Sequence, residues 1–110
     1  NTVWIAVNST KDNLPKDSLD WAKKWGVTYA TLQDPDGKIG KAYGAEKTPH
    51  MFVIDPKGNV IYKGAIDDDS TDEKKIKTNY VDSALVASQK GSKVNPAETK
   101  AYGCTVKYKN

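Results

Sequence analysis

Three kinds of side chain in this sequence could carry chemistry: a single thiol, a single imidazole and a run of carboxylates. The thiol is Cys104, whose thiolate would be a nucleophile if nearby positive charge lowered its pKa. Lys100 and Lys107 are its nearest basic neighbours in sequence. One cysteine cannot form a disulfide within the chain. From the sequence alone the favoured interpretation is a tail cysteine with no role, and the alternatives are that Cys104 resolves a disulfide formed upstream or pairs with another chain.

The imidazole belongs to His50, which directly follows Pro49. Its ordinary pKa near neutrality would suit it to shuttling a proton. A partly exposed residue at the start of a strand is the alternative, and the sequence favours it. A metal site needs several ligands and there is no second histidine, so no metal site is predicted here.

Oxygen-bearing side chains cluster in one stretch of the chain. They are Asp67, Asp68, Asp69, Ser70, Thr71, Asp72 and Glu73. Such oxygens could coordinate Ca²⁺, but the spacing lacks the glycine and the final glutamate of an EF-hand loop. A solvated acidic turn ahead of a helix is the favoured interpretation, and no metal or cofactor is predicted.

The element that must position Thr48, Pro49 and His50 is a predicted hairpin. Met51–Ile54 is an apolar run of strand length, and the following Asp-Pro-Lys-Gly-Asn supplies turn chemistry before Val60–Tyr62. A proline cannot donate to a ladder, so it belongs at a strand start. The sequence predicts an antiparallel hairpin whose first strand is buried on both faces.

The rest of the pattern predicts the order β-α-β-α-β-β-α followed by an extended tail. Thr2 to Asn8 is predicted to be a buried strand, and a helix capped by Asp17 is predicted to end at Gly26. Further elements are a strand at Tyr29–Gln33, a short helix at Ile39–Tyr43, and a helix that begins after Asn79 and ends at Lys90 and Gly91. Trp4, Trp21, Trp25 and Tyr43 are expected to pack in or near the core.

Composition excludes some classes of protein. A chain of 110 residues with 37% apolar content can form one domain with a core. The net charge of +3 and the lysine-rich tail give no argument for nucleic-acid binding. No apolar run approaches the roughly 20 residues of a membrane span. The chain starts at Asn1 without a visible signal peptide, so we expect a mature product or a fragment and leave periplasm, secretion and cytoplasm all open.

The order and spacing of these segments resemble the redoxin and peroxiredoxin-like group of thioredoxin-fold proteins. The stretches that carry the resemblance are Val3–Asn8, Pro15–Gly26, Tyr29–Asp34, Gly40–Ala45, Thr48–Tyr62, Gly64–Asp68 and Gly103–Tyr108. The resemblance implies an α/β, thioredoxin-like fold over residues 1–91, with a C-terminal extension at 92–110. The family's first core strand, and the helix that opens with Cys-x-x-Cys, would lie before Asn1.

The same resemblance implies a function. It is that of a thiol–disulfide oxidoreductase or a peroxiredoxin-like antioxidant protein, acting on a protein or peptide disulfide or on a peroxide. A cis bond before Pro49 would turn the Thr48 backbone outward to pair with an extended substrate strand, with His50 at the rim. Cys104 is implied as the resolving thiol. The alternative is a non-enzymatic module that binds an extended peptide along the proline edge.

The resemblance also predicts a vacancy in the sheet. The missing core strand would lie between the strands at 2–8 and 51–54 and would satisfy their backbone groups. We therefore expect either the upstream segment or a second copy of this chain to be a partner, and a rearrangement of the two strands is the remaining alternative. The sequence gives neither the physiological substrate nor the oligomeric state.

Overall fold

The computed structural model describes residues 2–11, 14–71 and 75–109. Its elements in chain order are β1 (Ile5–Asn8), α1 (Pro15–Trp25), β2 (Ala30–Gln33), α2 (Lys38–Tyr43), β3 (Lys47–Thr48), β4 (Met51–Ile54), β5 (Val60–Gly64), α3 (Tyr80–Gln89) and β6 (Cys104–Thr105). The chain divides into a first unit, Asn1–Ala45 with Val106–Asn110, and a second unit, Glu46–Thr105. The fold is mixed α/β, and the short strands β3 and β6 are additions to the predicted order.

The first unit contains a parallel pair of strands joined by α1. β1 and β2 are in register from Ile5 opposite Ala30 to Asn8 opposite Gln33. The predicted cap at Asp17 is wrong, because α1 begins earlier, with Pro15 in its first turn. Proline suits that position, since its φ is already helical and its missing N–H needs no partner there. The Asp17 carboxylate instead accepts the Leu14 amide at 3.1 Å.

The aromatic side chains predicted for the core of the first unit are exposed. Trp4, Trp21, Trp25 and Tyr43 expose 41%, 52%, 64% and 42% of their surface. Ile5 and Val7 are also exposed, so the prediction of a buried first strand is wrong as well. Over the described residues, β1 has a single ladder partner, β2, and no apolar side chain of this unit is buried.

The second unit has a buried apolar core. β4 and β5 form the predicted antiparallel hairpin. The cluster of buried side chains is Val53, Tyr62, Val81 and Ala84. Asn79 caps α3 as predicted, accepting the Asp82 amide at 2.9 Å. In β4 only Val53 is buried, Met51 and Phe52 are half-buried and Ile54 is 48% exposed, so the predicted burial of this strand on both faces is wrong.

The tail covers the outer edge of β5. Lys63 donates its amide to Ala97 and accepts the amide of Thr99, both at 3.1 Å. The Thr99 hydroxyl shares a 2.6 Å hydrogen bond with the hydroxyl of the fully buried Tyr62. These contacts hold the tail against the hairpin, and the predicted domain boundary at Gly91 stays a prediction. Among the described helices, none has the length and apolar character needed to cross a membrane.

Candidate thiol site

The second unit brings the single cysteine opposite the residue that precedes Pro49. β3 and β6 are antiparallel, and their register pairs Thr48 with Cys104 and Lys47 with Thr105. The Thr48–Pro49 bond is cis, the isomer that the resemblance implies. Cys104 is exposed and carries a free thiol. Sequence reasoning named Thr48 and Cys104 separately but did not foresee that they are ladder partners.

Gly103 allows this close approach of the tail. Its φ is +120°, and a Cβ at this position would lie 2.4 Å from the carbonyl oxygen of Thr48. Any residue with a side chain would collide with the backbone of β3. Gly103 is therefore a positioning residue of the site, a role that its place in the family-like tail does not predict.

His50 ties down the turn around Pro49. Its Nδ1 accepts the amide of Glu46 at 3.0 Å, and its ring stacks on Phe52 with centroids 4.9 Å apart. Because Nδ1 is an acceptor, the neutral ring carries its proton on Nε2. Partial burial, with a smaller effect of the Lys63 ammonium, lowers the pKa of His50 below 6.5, although Glu46 and Glu98 oppose the shift. The neutral ring is thus the form that this turn stabilises.

The lysine at the β3–β6 ladder is Lys47. Its ammonium donates to the Thr105 hydroxyl at 3.5 Å, across the same pair of residues that the register joins. Lys63 and Glu98 form an ion pair at 3.8 Å, in which the two side chains are 48% and 68% exposed. Lys100 and Lys107 are the basic neighbours of Cys104 along the chain, but Lys47 is the lysine that the pairing of β3 with β6 brings to the residue next to it.

The carboxylates in the stretch 67–71 accept hydrogen bonds from nearby groups of the protein. Asp68 accepts the amides of Lys77 and Thr78 at 3.0 and 3.2 Å. The carboxylate of Asp67 accepts the hydroxyl of Tyr102. Asp72 and Glu73 lie outside the described residues. Within the part of the chain that the structure describes, no group of three or more acidic, histidine or cysteine side chains could hold a metal ion, so the calcium alternative gains no support.

The first unit holds a buried carboxylate that sequence reasoning assigned only to a turn. Asp34 is 5% exposed and accepts hydrogen bonds from the Ser9 hydroxyl at 2.6 Å and the Gly40 amide at 2.9 Å. Burial by itself would raise the pKa of Asp34, but these bonds and those from nearby amides outweigh it and lower the pKa below 3.8. Its oxygens fix the start of α2, so Asp34 has a structural role.

Tyr108 anchors the end of the tail within the first unit. Its hydroxyl donates to the Ala45 carbonyl at 2.6 Å. A Cβ at Gly37 would lie 2.6 Å from a ring carbon of Tyr108, and a Cβ at Gly40 would lie 2.7 Å from its hydroxyl oxygen. The Lys41 ammonium is 5.4 Å from the ring centroid. The tail is therefore held before Val106 by the pairing of β6 with β3. After Val106 it is held by the contacts of Tyr108 with α2 and with the residues that flank this helix.

Comparisons with known proteins identify the family. A family model described as Redoxin matches residues 1–80. A hypothetical protein from Sinorhizobium meliloti 1021 is 28% identical, with a TM-score of 0.82 over 97% of this chain and 62% of that one. An uncharacterized conserved protein from Geobacillus kaustophilus is 26% identical, with a TM-score of 0.87 over 97% of this chain and 60% of that one. This chain thus spans about three fifths of both proteins. No curated protein matches it.

Proposed function

Because this chain belongs to the Redoxin family, we propose that it is part of a thiol-dependent redox protein in which Cys104 is the resolving thiol. The observation that carries the proposal is the register of β3 and β6, in which Cys104 is the ladder partner of Thr48. The family match covers Thr48 and Pro49 but ends before Cys104. The argument for Cys104 therefore rests on this register and on its exposed thiol.

The proposed reaction uses a second thiol from a segment outside this chain. A peroxide oxidises that thiol to a sulfenic acid and is itself reduced to water or an alcohol, or the thiolate attacks a disulfide substrate, forming a mixed disulfide and releasing one substrate thiol. The Cys104 thiolate then attacks the oxidised sulfur, forming a new disulfide and releasing water or the substrate thiol. An external dithiol, or two equivalents of a monothiol, finally reduces this disulfide, restores both cysteines and leaves as its own disulfide.

We propose that the outside segment also covers the open strand edges. Over the described residues, β1 and β4 each have a single ladder partner. The two similar structures extend beyond the matched region by about two fifths of their length, which is enough for further elements. A strand added at either edge would pair the backbone groups there. A second copy of this chain is the alternative occupant.

The test uses the longest native product that contains this chain. After one equivalent of hydrogen peroxide and proteolysis without reductant, we expect mass spectrometry to find the Cys104 peptide in a disulfide with a second cysteine. Cys104→Ser should leave the partner cysteine as a sulfenic acid that dimedone traps. Combining Cys104→Ser with Ser92→Cys moves the thiol to another exposed tail position and is the matched control. A free Cys104 after oxidation, or equal resolution by the relocated thiol, contradicts the proposal.

The second candidate function is a non-enzymatic module that binds an extended peptide. One observation favours it: the backbone edge of β3 accepts an extended strand, namely β6. The same variant separates the two functions. A binding module keeps its affinity for its partner in Cys104→Ser and shows no thiol-dependent turnover.

A further inference from the structure

The backbone edge of β3 that a substrate peptide would use is already filled by the protein's own tail. Antiparallel pairing of Thr48 with Cys104 and of Lys47 with Thr105 is the arrangement by which an extended peptide adds to an exposed strand. Each backbone N–H and C=O on that edge can serve one neighbouring strand. A peptide and the tail therefore compete for the same edge.

Residues just before β6 fix the tail in this position. Ala101 is 8% exposed, and Tyr102 donates its hydroxyl to Asp67. The Thr99 hydroxyl accepts the Ala65 amide at 3.0 Å. Because these residues are held within the second unit, they keep β6 at a high effective concentration beside β3. The absence of a side chain at Gly103 then allows the tail to pass the Thr48 carbonyl.

We propose that residues 103–105 form an internal substrate-like strand, which excludes extended polypeptides from the β3 edge. The site then admits small solutes such as a hydroperoxide, and protein disulfides gain access only when the tail detaches. This inference rests on the proposed function in one respect: it takes the β3 edge as the edge that a substrate peptide would use. The docked tail keeps the Cys104 thiol exposed at that edge, where it can attack a partner cysteine that a small oxidant has converted to a sulfenic acid.

The energetic consequence is a reduced apparent affinity for peptides. A peptide binds only those molecules whose tail is undocked, so its apparent dissociation constant rises as that fraction falls. Variants that undock the tail should therefore bind an extended peptide more tightly. A cross-link that fixes the tail in place should abolish the binding.

The probe is a labelled synthetic peptide with the sequence of residues 101–107 carrying Cys104→Ser, titrated by fluorescence anisotropy. In Gly103→Ala the new Cβ collides with the Thr48 carbonyl, and Thr105→Pro places a residue with no N–H and a fixed φ in the two-residue strand β6. Both variants should bind the probe at least about tenfold more tightly than the parent. Gly91→Ala is the matched control, since Gly91 also has a positive φ, +70°, but has open space where its Cβ would lie.

The converse variant combines Lys47→Cys and Thr105→Cys with Cys104→Ser. The register makes residues 47 and 105 partners, so oxidation should lock the tail and reduction should release it in the same protein. We expect no probe binding in the oxidised form. Equal binding by the parent, the locked form and the undocked variants overturns the inference, and so does the absence of binding in every form. Because neither probe nor locked protein carries Cys104, these outcomes are independent of whether Cys104 resolves a disulfide.

Discussion

The second unit buries an apolar cluster around its hairpin, whereas the first unit buries polar groups and glycines. Val53, Tyr62, Val81 and Ala84 pack together in the second unit. Among the described residues of the first unit, the buried ones are Ser9, Asp34, Gly37 and Gly40. Hydrogen bonds to Asp34 hold the first unit around α2, while the apolar side chains of its strands and of α1 remain exposed.

This difference shows which part of the chain is complete as a packing unit. Burial stabilises by about 25 cal/mol for each Å² of apolar surface removed from water, so exposed tryptophans contribute little until something covers them. Large exposed apolar surfaces mark places where another surface binds. The proposed thiol site, formed by Thr48, Pro49, His50 and Cys104, lies in the second unit, which has the buried apolar cluster.

The largest expected effect is a complete absence of dithiol reductase activity in the 110-residue chain. The second unit carries the single thiol of this chain, and one thiol cannot cycle between a dithiol and an internal disulfide. Insulin reduction with a dithiol donor should proceed at the uncatalysed rate. Turnover at the rate of an intact thioredoxin would show that this unit is sufficient without an outside cysteine. A dimer that disappears under reductant is compatible with the prediction.

The next largest effect contrasts one aromatic residue from each unit. Tyr62 is fully buried, so Tyr62→Ala should lower the free energy of unfolding by about 3–5 kcal/mol. Trp25 is 64% exposed, so Trp25→Ala should change the free energy of unfolding by less than about 0.5 kcal/mol. Urea denaturation of both variants measures the difference. A comparable loss in Trp25→Ala would mean that a second copy covers α1 in solution.

The sequence predicted those parts of both units whose causes are local. The hairpin turn is one case, because Gly58 has a φ of +88° and donates its amide to Asp55 at 3.0 Å. The cap at Asn79 is another. Such features depend on a few neighbouring residues, and their chemistry is visible in the chain.

The predictions that inferred burial from apolar character alone were wrong in the first unit. Burial of Trp21 and Val7 would stabilise the fold, but both side chains are exposed. Apolar character alone does not reveal whether an element that covers them is present. The pairing of Thr48 with Cys104 was also not predictable, because two-residue strands carry no periodic pattern. Gly103 was the one available signal, since a glycine beside an extended segment often marks a close backbone approach.

A smaller effect should follow from loosening the tail in each unit separately. Tyr108→Phe removes the hydrogen bond to the Ala45 carbonyl in the first unit and should cost about 1 kcal/mol of unfolding free energy. Tyr102→Phe is the matched loss of a hydroxyl in the second unit. Amide hydrogen exchange should report reduced protection near α2 for Tyr108→Phe and near β6 for Tyr102→Phe. Loss of protection in both regions from either substitution would show that the two units unfold together.

The smallest expected effect is a dependence of stability on pH that arises from His50. The pKa of His50 is lowered in the folded protein, mainly by burial, so the folded state binds fewer protons than the unfolded state. The contribution of the neutral ring is fully present above the ordinary pKa of 6.5 and is lost as the pH falls from there through the folded pKa. Protonation of Nδ1 would also break the hydrogen bond from the Glu46 amide.

His50→Gln provides the comparison, because glutamine does not titrate. As the pH is lowered below 6.5, the free energy of unfolding of the parent should fall more steeply than that of the variant. Asp34 in the first unit has its pKa lowered too, so its contribution is lost only as the pH falls below 3.8, and it cannot produce a change in the same window. Parallel curves for the parent and His50→Gln between pH 7 and 5 would mean that the turn around Pro49 does not depend on a neutral imidazole.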